Sequence, residues 1–307
     1  MTHSKELEET VLWKEYEKKA SAGSERRTWV KNVYEYATDY LKDVRRNFEN
    51  YTLHDETHIL NVMDAMGGLL GDQISNLSVG ELEVLILVAS LHDIGMVYTD
   101  EEKNEAYEDA ENRKKFLREK YQEALGSKKE EWTEDMWQCY LRDLHSWRVA
   151  EVLNNRAWNE LISQRPLDIV PLNTIVTICE AHGYNPSDMV GERRLDYLPA
   201  NDVSPLFCAL LLRLSDLLDF DDTRAPKVLY SYVECNEKSG EEWRKHQASA
   251  GFFYPSSPST EALPYRARCT NPGVEHAVRD FLDWVDDELG NCAKLQKRCE
   301  KEWQHNF

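Results

Sequence analysis

LILVASLHDIG, residues 85–95, is the most informative stretch of this chain. Its first seven residues are apolar on every side of a helix, apart from Ser90, which is typical of a helix buried in a protein core. The apolar run ends in the adjacent pair His92–Asp93, and Gly95 follows where a helix C-terminus is expected. A buried carboxylate has a large desolvation cost unless it is paired or binds a metal ion. We therefore interpret His92–Asp93 as the start of a metal site.

The composition excludes several classes of function. Lysine and arginine number 37 and aspartate and glutamate 56, which gives the 307 residues a formal net charge of -19. Such an acidic chain is a poor partner for long nucleic acid or an anionic membrane surface, so we expect neither. The seven cysteines show no CxxC spacing, the N-terminus is charged, and no apolar run has the length of a membrane span. These features predict a cytoplasmic protein with reduced thiols.

Helical patterns occupy most of the chain before Pro226. Asp55 is an N-cap that puts His58 in the first turn of a helix, facing inward, and Ser78–Glu81 is a capping box that opens the central helix. The predicted helices begin, in chain order, near Trp29, Asp55, Ser78, Thr133, Asn173 and Ser204.

The character of the sequence changes after Pro226. The segments KVLYSYVEC (227–235) and ASAGFFYP (248–255) are rich in aromatic and β-branched residues and predict short strands, and an amphipathic helix is expected over Val274–Leu289. The fold class is therefore mainly α, a helical bundle with a small mixed, β-containing C-terminal extension. We expect a helical lead-in over 1–27, a main domain over 28–226, and an extension over 227–307 that packs on it. The charged segment at about 98–131 predicts a solvated helical insertion, with a partner-binding arm as the alternative.

Four further polar residues lie on the apolar faces of separate predicted helices: His58, His145, His182 and Asp216. A single histidine on such a face is usually a hydrogen-bonded core residue. The joint pattern with His92–Asp93 changes this interpretation, because burying so much polarity without a common partner is costly. We therefore expect these side chains to share a metal centre.

The order H…HD…H…H…D on successive helices resembles the HD-domain superfamily of metal-dependent phosphohydrolases. The resemblance covers about residues 50–225 and implies an all-α bundle. The sequence LRLSDLLDFDDTRAP (212–226) is also similar to the RLADxLDxDxxRxP ending of a subgroup from bacterial conflict systems, whose HD domain is often fused to an Hsp90-like ATPase.

This resemblance implies the ligand set. Mononuclear members of the superfamily use residues that match His58, His92, Asp93 and Asp216, and dinuclear members add two histidines that match His145 and His182. In the implied arrangement Asp93 bridges two ions, one held by His58, His92 and Asp216 and the other by His145 and His182. Mixed imidazole and carboxylate ligands suit Mn, Fe, Zn, Co or Ni, so we expect one or two divalent transition metal ions.

Cationic residues near the predicted metal centre are candidates for substrate contacts, and Arg224 among them also matches an arginine of the family pattern. Arg213 and Arg224, with Lys227 as a third candidate, are predicted to bind substrate phosphates, because a guanidinium offers a bidentate fork. For Arg213 an intrahelical ion pair with Asp216 or Asp219 is an equal alternative.

Two catalytic residues are predicted, Asp93 and His54. His54 is a candidate proton donor to the leaving group, with an exposed residue of the capping loop as the alternative interpretation. Asp219 and Glu180 are candidates to orient the ligand imidazoles.

The resemblance implies a metal-dependent phosphohydrolase that acts on a nucleotide, such as a dNTP or a nucleoside phosphate, by a metal-activated hydroxide. The alternatives are a phosphodiesterase for a cyclic or short oligonucleotide, a non-catalytic nucleotide-sensing module in a bacterial defence system, or a structural partner protein. The expected partner is a nucleotide or short oligonucleotide, and assembly as a homo-oligomer or with a partner defence protein is left open.

Overall fold

The computed structural model describes residues 6–21, 23–49, 51–108, 133–189, 191–226, 237–254 and 262–297, and within them the fold is mainly α, as predicted. The helices are α1 Val11–Lys19, α2 Glu25–Leu41, α3 Val44–Asn47, α4 Glu56–Leu70, α5 Val79–Leu91, α6 Asp100–Glu108, α7 Glu134–Leu153, α8 Arg156–Ser163, α9 Leu172–Ala181, α10 Pro205–Leu218, α11 Glu237–Ala248 and α12 Pro272–Gln296. Two strands, β1 Ser249–Phe252 and β2 Tyr265–Ala267, form an antiparallel pair. β1 lies in the predicted strand segment ASAGFFYP, whereas KVLYSYVEC and residues 109–131 of the charged insertion lie outside the described residues.

Helix α5 is the centre of the fold. Every residue from Gly80 to Leu91 is buried, and the helix packs against α1, α2, α4, α9 and α10. It begins with the predicted capping box, in which Ser78 accepts from the backbone of Glu81 and the Glu81 side chain accepts from the backbone of Ser78. Burial of each Leu, Ile or Val side chain is worth roughly 1.5–3 kcal/mol, so this helix contributes much of the stability of the core.

A buried acidic residue of α5 is neutralised by the N-terminal helices. The Glu83 carboxylate is fully buried, accepts a hydrogen bond of 2.9 Å from the Tyr16 hydroxyl, and forms an ion pair with Arg26. Since a buried carboxylate is tolerated only when it is paired, these contacts fix α1 and α2 against the central helix.

Two helix ends differ from the sequence prediction. The pattern from Trp29 to Phe48 is interrupted, because α2 ends at Leu41 and the short α3 follows. Helix α5 ends at Leu91, and Gly95 lies in the 3₁₀ turn Ile94–Met96 rather than at the helix end.

The reason for glycine at position 95 is a close approach of helix α7. A Cβ atom there would collide with the carbonyl oxygen of His145. Arg148 of α7 also donates to the carbonyl oxygens of Gly95 (2.5 Å) and Val97 (3.0 Å), so the turn after His92–Asp93 is tied to α7.

The C-terminal elements form a second, smaller cluster on the bundle. Phe220, which follows α10, stacks on Phe281 of α12 with ring centroids 3.7 Å apart. Helix α12 also packs against α10 and α11, so the C-terminal elements form a wall beside the end of α10. In the described part of the chain no single helix is long and apolar enough to cross a membrane, and only the pair Val79–Met96 and Asp100–Ala106, bent by 77°, passes a length and composition test together.

Candidate metal centre

The six residues of the predicted ligand set lie together although they come from five parts of the fold. His58 lies on α4, His92 and Asp93 follow α5, His145 lies on α7, His182 follows α9, and Asp216 lies on α10. Five of them form two groups that could hold a metal ion, His58–His92–Asp93 and Asp93–His145–His182, and in each group the ligand atoms lie within 4.8 Å of one another. Asp93 belongs to both groups.

The first group surrounds the Nε2 atom of His58. This atom lies 3.1 Å from Nε2 of His92, 3.2 Å from Oδ2 of Asp93 and 3.3 Å from Oδ1 of Asp216. Nε2 of His92 lies 3.4 Å from Oδ2 of Asp93 and 3.7 Å from Oδ1 of Asp216. Two imidazoles and two carboxylates therefore converge on one point.

The second group lies on the other side of Asp93. Nε2 of His145 is 3.4 Å from Oδ1 of Asp93 and 2.8 Å from Nε2 of His182. Asp93 thus presents Oδ2 to the first group and Oδ1 to the second. Oδ2 is buried and accepts no hydrogen bond from the described residues, which is unusual for a carboxylate oxygen and fits a metal ligand.

The hydrogen bonds of the imidazoles determine which nitrogen is free to bind a metal. In all four histidines Nδ1 faces an oxygen acceptor: Asp219 Oδ2 at 2.6 Å for His58, the Ala89 carbonyl at 3.0 Å for His92, the Arg142 carbonyl for His145 and the Cys179 carbonyl for His182. Nδ1 therefore carries the proton, and Nε2 presents its lone pair to the centre. The Nε2 lone pairs of His145 and His182 face each other at 2.8 Å and repel unless a cation lies between them, so this donor set fits a divalent metal.

The two central carboxylates are ionised. Burial by itself raises the pKa of Asp93, but His92 and His58 outweigh it and hold the pKa well below its usual range. Burial acts in the same direction on Asp216, but the neighbouring His58 and His92 outweigh it and hold its pKa well below the usual value. Both side chains are therefore anionic ligands at neutral pH.

The histidines of the two groups differ in their electrostatic surroundings. Burial opposes the charged form of His58, but Asp216, Asp219 and Asp93 outweigh it and raise its pKa well above the usual value. In the second group burial lowers the pKa of His145, and burial together with the neighbouring His145 lowers the pKa of His182 to about 3. His145 and His182 are therefore neutral without a bound cation, whereas the first group attracts positive charge.

A family comparison agrees with this geometry. A protein-family model described as HD-CE matches residues 48–291, which is most of the chain and includes all six clustered residues. The chain belongs to the HD-CE family. No curated protein and no solved structure gives a significant match. Membership of this family and the His/Asp cluster together support a metal-dependent hydrolase of the HD type.

A cavity of about 560 Å³ opens beside the cluster of this HD-CE domain. Asp93, His145 and Asp216 form part of its wall, and Phe281 and Trp284 of α12 also line it. The volume falls in the range of small-ligand pockets, roughly 300–1,000 Å³. The cationic side chains of Arg142, Arg224 and Lys245 also line the cavity.

Arg224 lines this cavity, but its guanidinium is already held by protein groups. Nη1 donates to Oδ2 of Asp219 at 3.0 Å, and Nη2 donates to Nε2 of His54 at 2.9 Å. Nη1 also lies 2.6 Å from Nδ1 of His58, which we interpret as a close approach because that nitrogen donates to Asp219. Arg224 therefore fixes Asp219 and reaches the cavity with only part of its fork free.

His54 lies in the cavity wall rather than on an exposed loop. Its Nδ1 is 2.7 Å from the Thr52 carbonyl and its Nε2 accepts from Arg224, so both ring nitrogens are occupied. Burial and the Arg224 charge hold the pKa of His54 well below its usual value, and the ring is neutral. This environment favours a role for His54 in positioning Arg224. It disfavours the role of proton donor that the sequence suggested.

Arg213 and Glu180 are engaged elsewhere. Arg213 forms an ion pair with Glu288 of α12 and donates to the carbonyls of His182 (2.7 Å) and Tyr184 (2.6 Å), and it does not line the cavity. It makes no intrahelical ion pair with Asp216 or Asp219, because its face of α10 points to α12, and the phosphate contact stays a prediction. Glu180 accepts from the Tyr184 hydroxyl at 3.0 Å instead of orienting a ligand imidazole. Lys227 lies outside the described residues.

Several cavity residues escaped the sequence interpretation. Arg142, Lys245 and His246 line the cavity, as do Phe281 and Trp284. Arg142 was detectable in principle, because it lies three residues before His145 and therefore on the same helix face. The others belong to α11 and α12, and no sequence pattern connects these helices to the ligand motifs.

Proposed function

We propose that this HD-CE domain is a metal-dependent phosphohydrolase that acts on a nucleotide, such as a dNTP or a nucleoside phosphate. The observation that carries the proposal is the position of Asp93, whose two carboxylate oxygens face two separate groups of imidazole nitrogens in the wall of a ligand-sized cavity. This is the arrangement that a bridging carboxylate needs between two metal ions.

The residues fit one or two divalent ions of the Mn, Fe, Zn, Co or Ni type, with His58, His92 and Asp216 on one side of Asp93 and His145 and His182 on the other. Such ions supply a hydroxide nucleophile near neutral pH and stabilise the charge that develops on a phosphoryl oxygen. The chain itself keeps each imidazole in the correct tautomer through its Nδ1 acceptor. It also keeps Asp93 and Asp216 ionised, as their lowered pKa values indicate.

The cavity supports a nucleotide as the ligand class. Arg142 provides positive charge beside the carboxylate cluster, and Trp284 provides aromatic surface on which a base can stack. Trp284 is 54 % exposed, so its ring is accessible from the solvent. The net charge of -19 disfavours a long polynucleotide, because such binding depends on many cationic contacts.

The proposal is tested with the Asp93→Asn variant, which keeps the shape of the side chain and removes its charge. Asp72→Asn is the matched control, because Asp72 is exposed in the turn after α4. Metal content is measured by mass spectrometry after reconstitution with Mn²⁺ or Zn²⁺. Products are identified from a panel of dNTPs, nucleoside monophosphates and cyclic dinucleotides.

We expect two bound metal ions and turnover for the wild type and the control. In Asp93→Asn we expect loss of metal and a fall in turnover beyond the roughly 100-fold that loss of an outer-shell partner costs. Cleavage of cyclic dinucleotides alone would support a phosphodiesterase, and nucleotide binding without turnover would support a sensing module. Equal metal content and turnover in Asp93→Asn and wild type would refute the proposal. A role in bacterial defence remains a proposal from the family resemblance alone.

A further inference from the structure

Arg142 differs from the other cationic residues of the cavity. It lies on α7 with Gln138 and His145, at a spacing that puts the three side chains on one helix face, and all three line the cavity. Its backbone carbonyl accepts from Nδ1 of His145, so the residue is adjacent to the second ligand group.

The guanidinium of Arg142 has no carboxylate partner among the described residues. Arg224 pairs with Asp219, and Lys245 pairs with Glu242 at 2.8 Å. Arg142 instead lies 5.7 Å from the ring centroid of Tyr51, a cation–π distance that holds the side chain without neutralising it. Arg142 is exposed and lines the cavity, in a chain with 56 acidic and 37 basic residues, and its charge is free to meet an anionic ligand there.

The charge of the metal centre suggests what Arg142 binds. Two divalent ions, if held by Asp93, Asp216 and four neutral imidazoles, would leave a small positive excess, which a single phosphate group would be enough to neutralise. Any further phosphate of the ligand needs a separate cation. The i and i+3 positions of a helix have Cβ atoms about 5–6 Å apart, so Arg142 stands one turn away from the ligand His145.

We infer that Arg142 binds a second phosphate of the substrate, next to the one that is cleaved, and thereby selects a nucleoside polyphosphate over a monophosphate. The inference rests on the proposed function, because it assumes that a phosphate lies at the Asp93 centre. A guanidinium fork suits this task, since it binds phosphate oxygens bidentately.

The experiment compares the wild type with Arg142→Gln, which removes the charge, and Arg142→Lys, which keeps the charge without the fork. Arg279→Gln is the control, because Arg279 lies exposed on α12 in an ion pair with Glu275. Rates are measured with Mn²⁺-loaded protein on each dNTP, on the corresponding monophosphates and on cyclic diadenylate. Titration calorimetry with dATP on the same Mn²⁺-loaded proteins measures binding independently of turnover.

We expect Arg142→Gln to lower kcat/KM for triphosphates about 10- to 100-fold, mainly through KM, and to leave monophosphates within about twofold. Arg142→Lys should lie between the two, and Arg279→Gln should match the wild type. Equal losses on triphosphates and monophosphates, no loss at all, or a selective loss on cyclic diadenylate alone would overturn the inference.

The outcome also separates this inference from the proposed function. If no substrate is turned over but dATP binds and Arg142→Gln weakens that binding, the phosphohydrolase proposal fails and the role of Arg142 stands. If turnover depends on Asp93 but Arg142→Gln has no selective effect, the proposed function stands and the inference fails. Absence of both turnover and dATP binding contradicts both.

Discussion

Nδ1 of His58 lies 2.6 Å from Oδ2 of Asp219, a residue 161 positions later in the chain. The same carboxylate accepts from Nη1 of Arg224 at 3.0 Å and, through Oδ1, from Nδ2 of Asn61 at 2.8 Å. Burial raises the pKa of Asp219, but Arg224 and His58 outweigh it and lower the pKa below its usual value. Asp219 is therefore a fixed anion that sets the tautomer and orientation of the His58 ring.

This relationship predicts the effect of replacing Asp219 by asparagine. The amide is a weaker acceptor for Nδ1 of His58, so Nε2 becomes a poorer ligand, and we expect metal affinity to fall by about 10- to 100-fold. Competition with a chromogenic chelator measures the affinity for Zn²⁺. Asp222→Asn is the control, because Asp222 is exposed in the 3₁₀ turn Asp222–Arg224 that follows Asp219. Unchanged affinity in Asp219→Asn would mean that Asp219 does not support the metal site.

The contact between Gly95 and α7 predicts that helix packing and metal binding are coupled. The Cβ atom of Gly95→Ala would collide with the carbonyl oxygen of His145, so α7 must move and carry His145 away from Asp93. We expect a loss of about 1–3 kcal/mol in the free energy of unfolding, as for other overpacked sites, together with loss of the ion held by His145 and His182.

The control for this prediction is Gly290→Ala on α12. A Cβ atom there meets nothing within 4 Å, and alanine is the better helix former, so stability should rise by up to about 1 kcal/mol. Urea denaturation gives both free energies, and metal analysis gives the stoichiometry. If Gly95→Ala retained full stability and both ions, the contact between the turn and α7 would not couple helix packing to metal binding.

Arg213 of α10 and Glu288 of α12 form a partly buried ion pair. Arg213 also donates to the His182 carbonyl, so the pair connects α12 to the segment after α9. Glu288→Ala leaves the arginine with no counter-ion in that place, and we expect the free energy of unfolding to fall by about 3–5 kcal/mol. The double replacement of both residues by methionine should recover part of this loss, because it removes the buried charge as well as its partner.

The control pair for this prediction is Arg279–Glu275, also on α12 but exposed. Glu275→Ala should change stability by less than about 1 kcal/mol, since exposed ion pairs contribute little. Urea denaturation of the four proteins gives a direct comparison. A loss in Glu288→Ala no larger than that in Glu275→Ala would show that the Arg213–Glu288 pair is not a structural link.

Much of the fold could be predicted from the sequence, because local signals determine it. The N-caps Asp55, Ser78 and Thr133 hydrogen-bond as the sequence indicated, and the apolar run before His92 forms the central helix. The ligand cluster was accessible for the same reason, since an inward-facing polar residue on an apolar helix face is visible in the periodicity.

The parts that escaped prediction depend on contacts between distant segments. The pairing of Arg213 with Glu288 joins residues 75 positions apart, and the cavity wall of α11 and α12 has no motif in common with the ligand helices. The sequence predicted a helix end at Gly95, whereas the glycine is needed where α7 approaches the turn closely. A single glycine in the sequence is compatible with either structure.

His246 of α11 predicts a loss of stability in acid that is separate from the metal centre. The ring packs against Phe220, with centroids 4.3 Å apart, and Nδ1 is 3.3 Å from the Asp221 carbonyl. Burial lowers its pKa to about 3; the charges of Arg224 and Lys245 act in the same direction, and Asp219 opposes them. The pKa of His246 in the folded protein therefore lies below the unfolded value of about 6.5. Between these two pKa values the unfolded chain binds a proton at His246 and the folded chain does not.

The sign of the effect follows from this difference. The contribution of neutral His246 is fully present above pH 6.5 and is lost as the pH falls from there toward 3. Between pH 8 and pH 5 the loss is about 2 kcal/mol, so the free energy of unfolding should fall by about that much less in His246→Gln than in the wild type. Urea denaturation at both pH values measures the difference, and His276→Gln is the control, because His276 is exposed on α12. Parallel pH dependence in wild type and His246→Gln would show that His246 keeps an ordinary pKa in the folded protein.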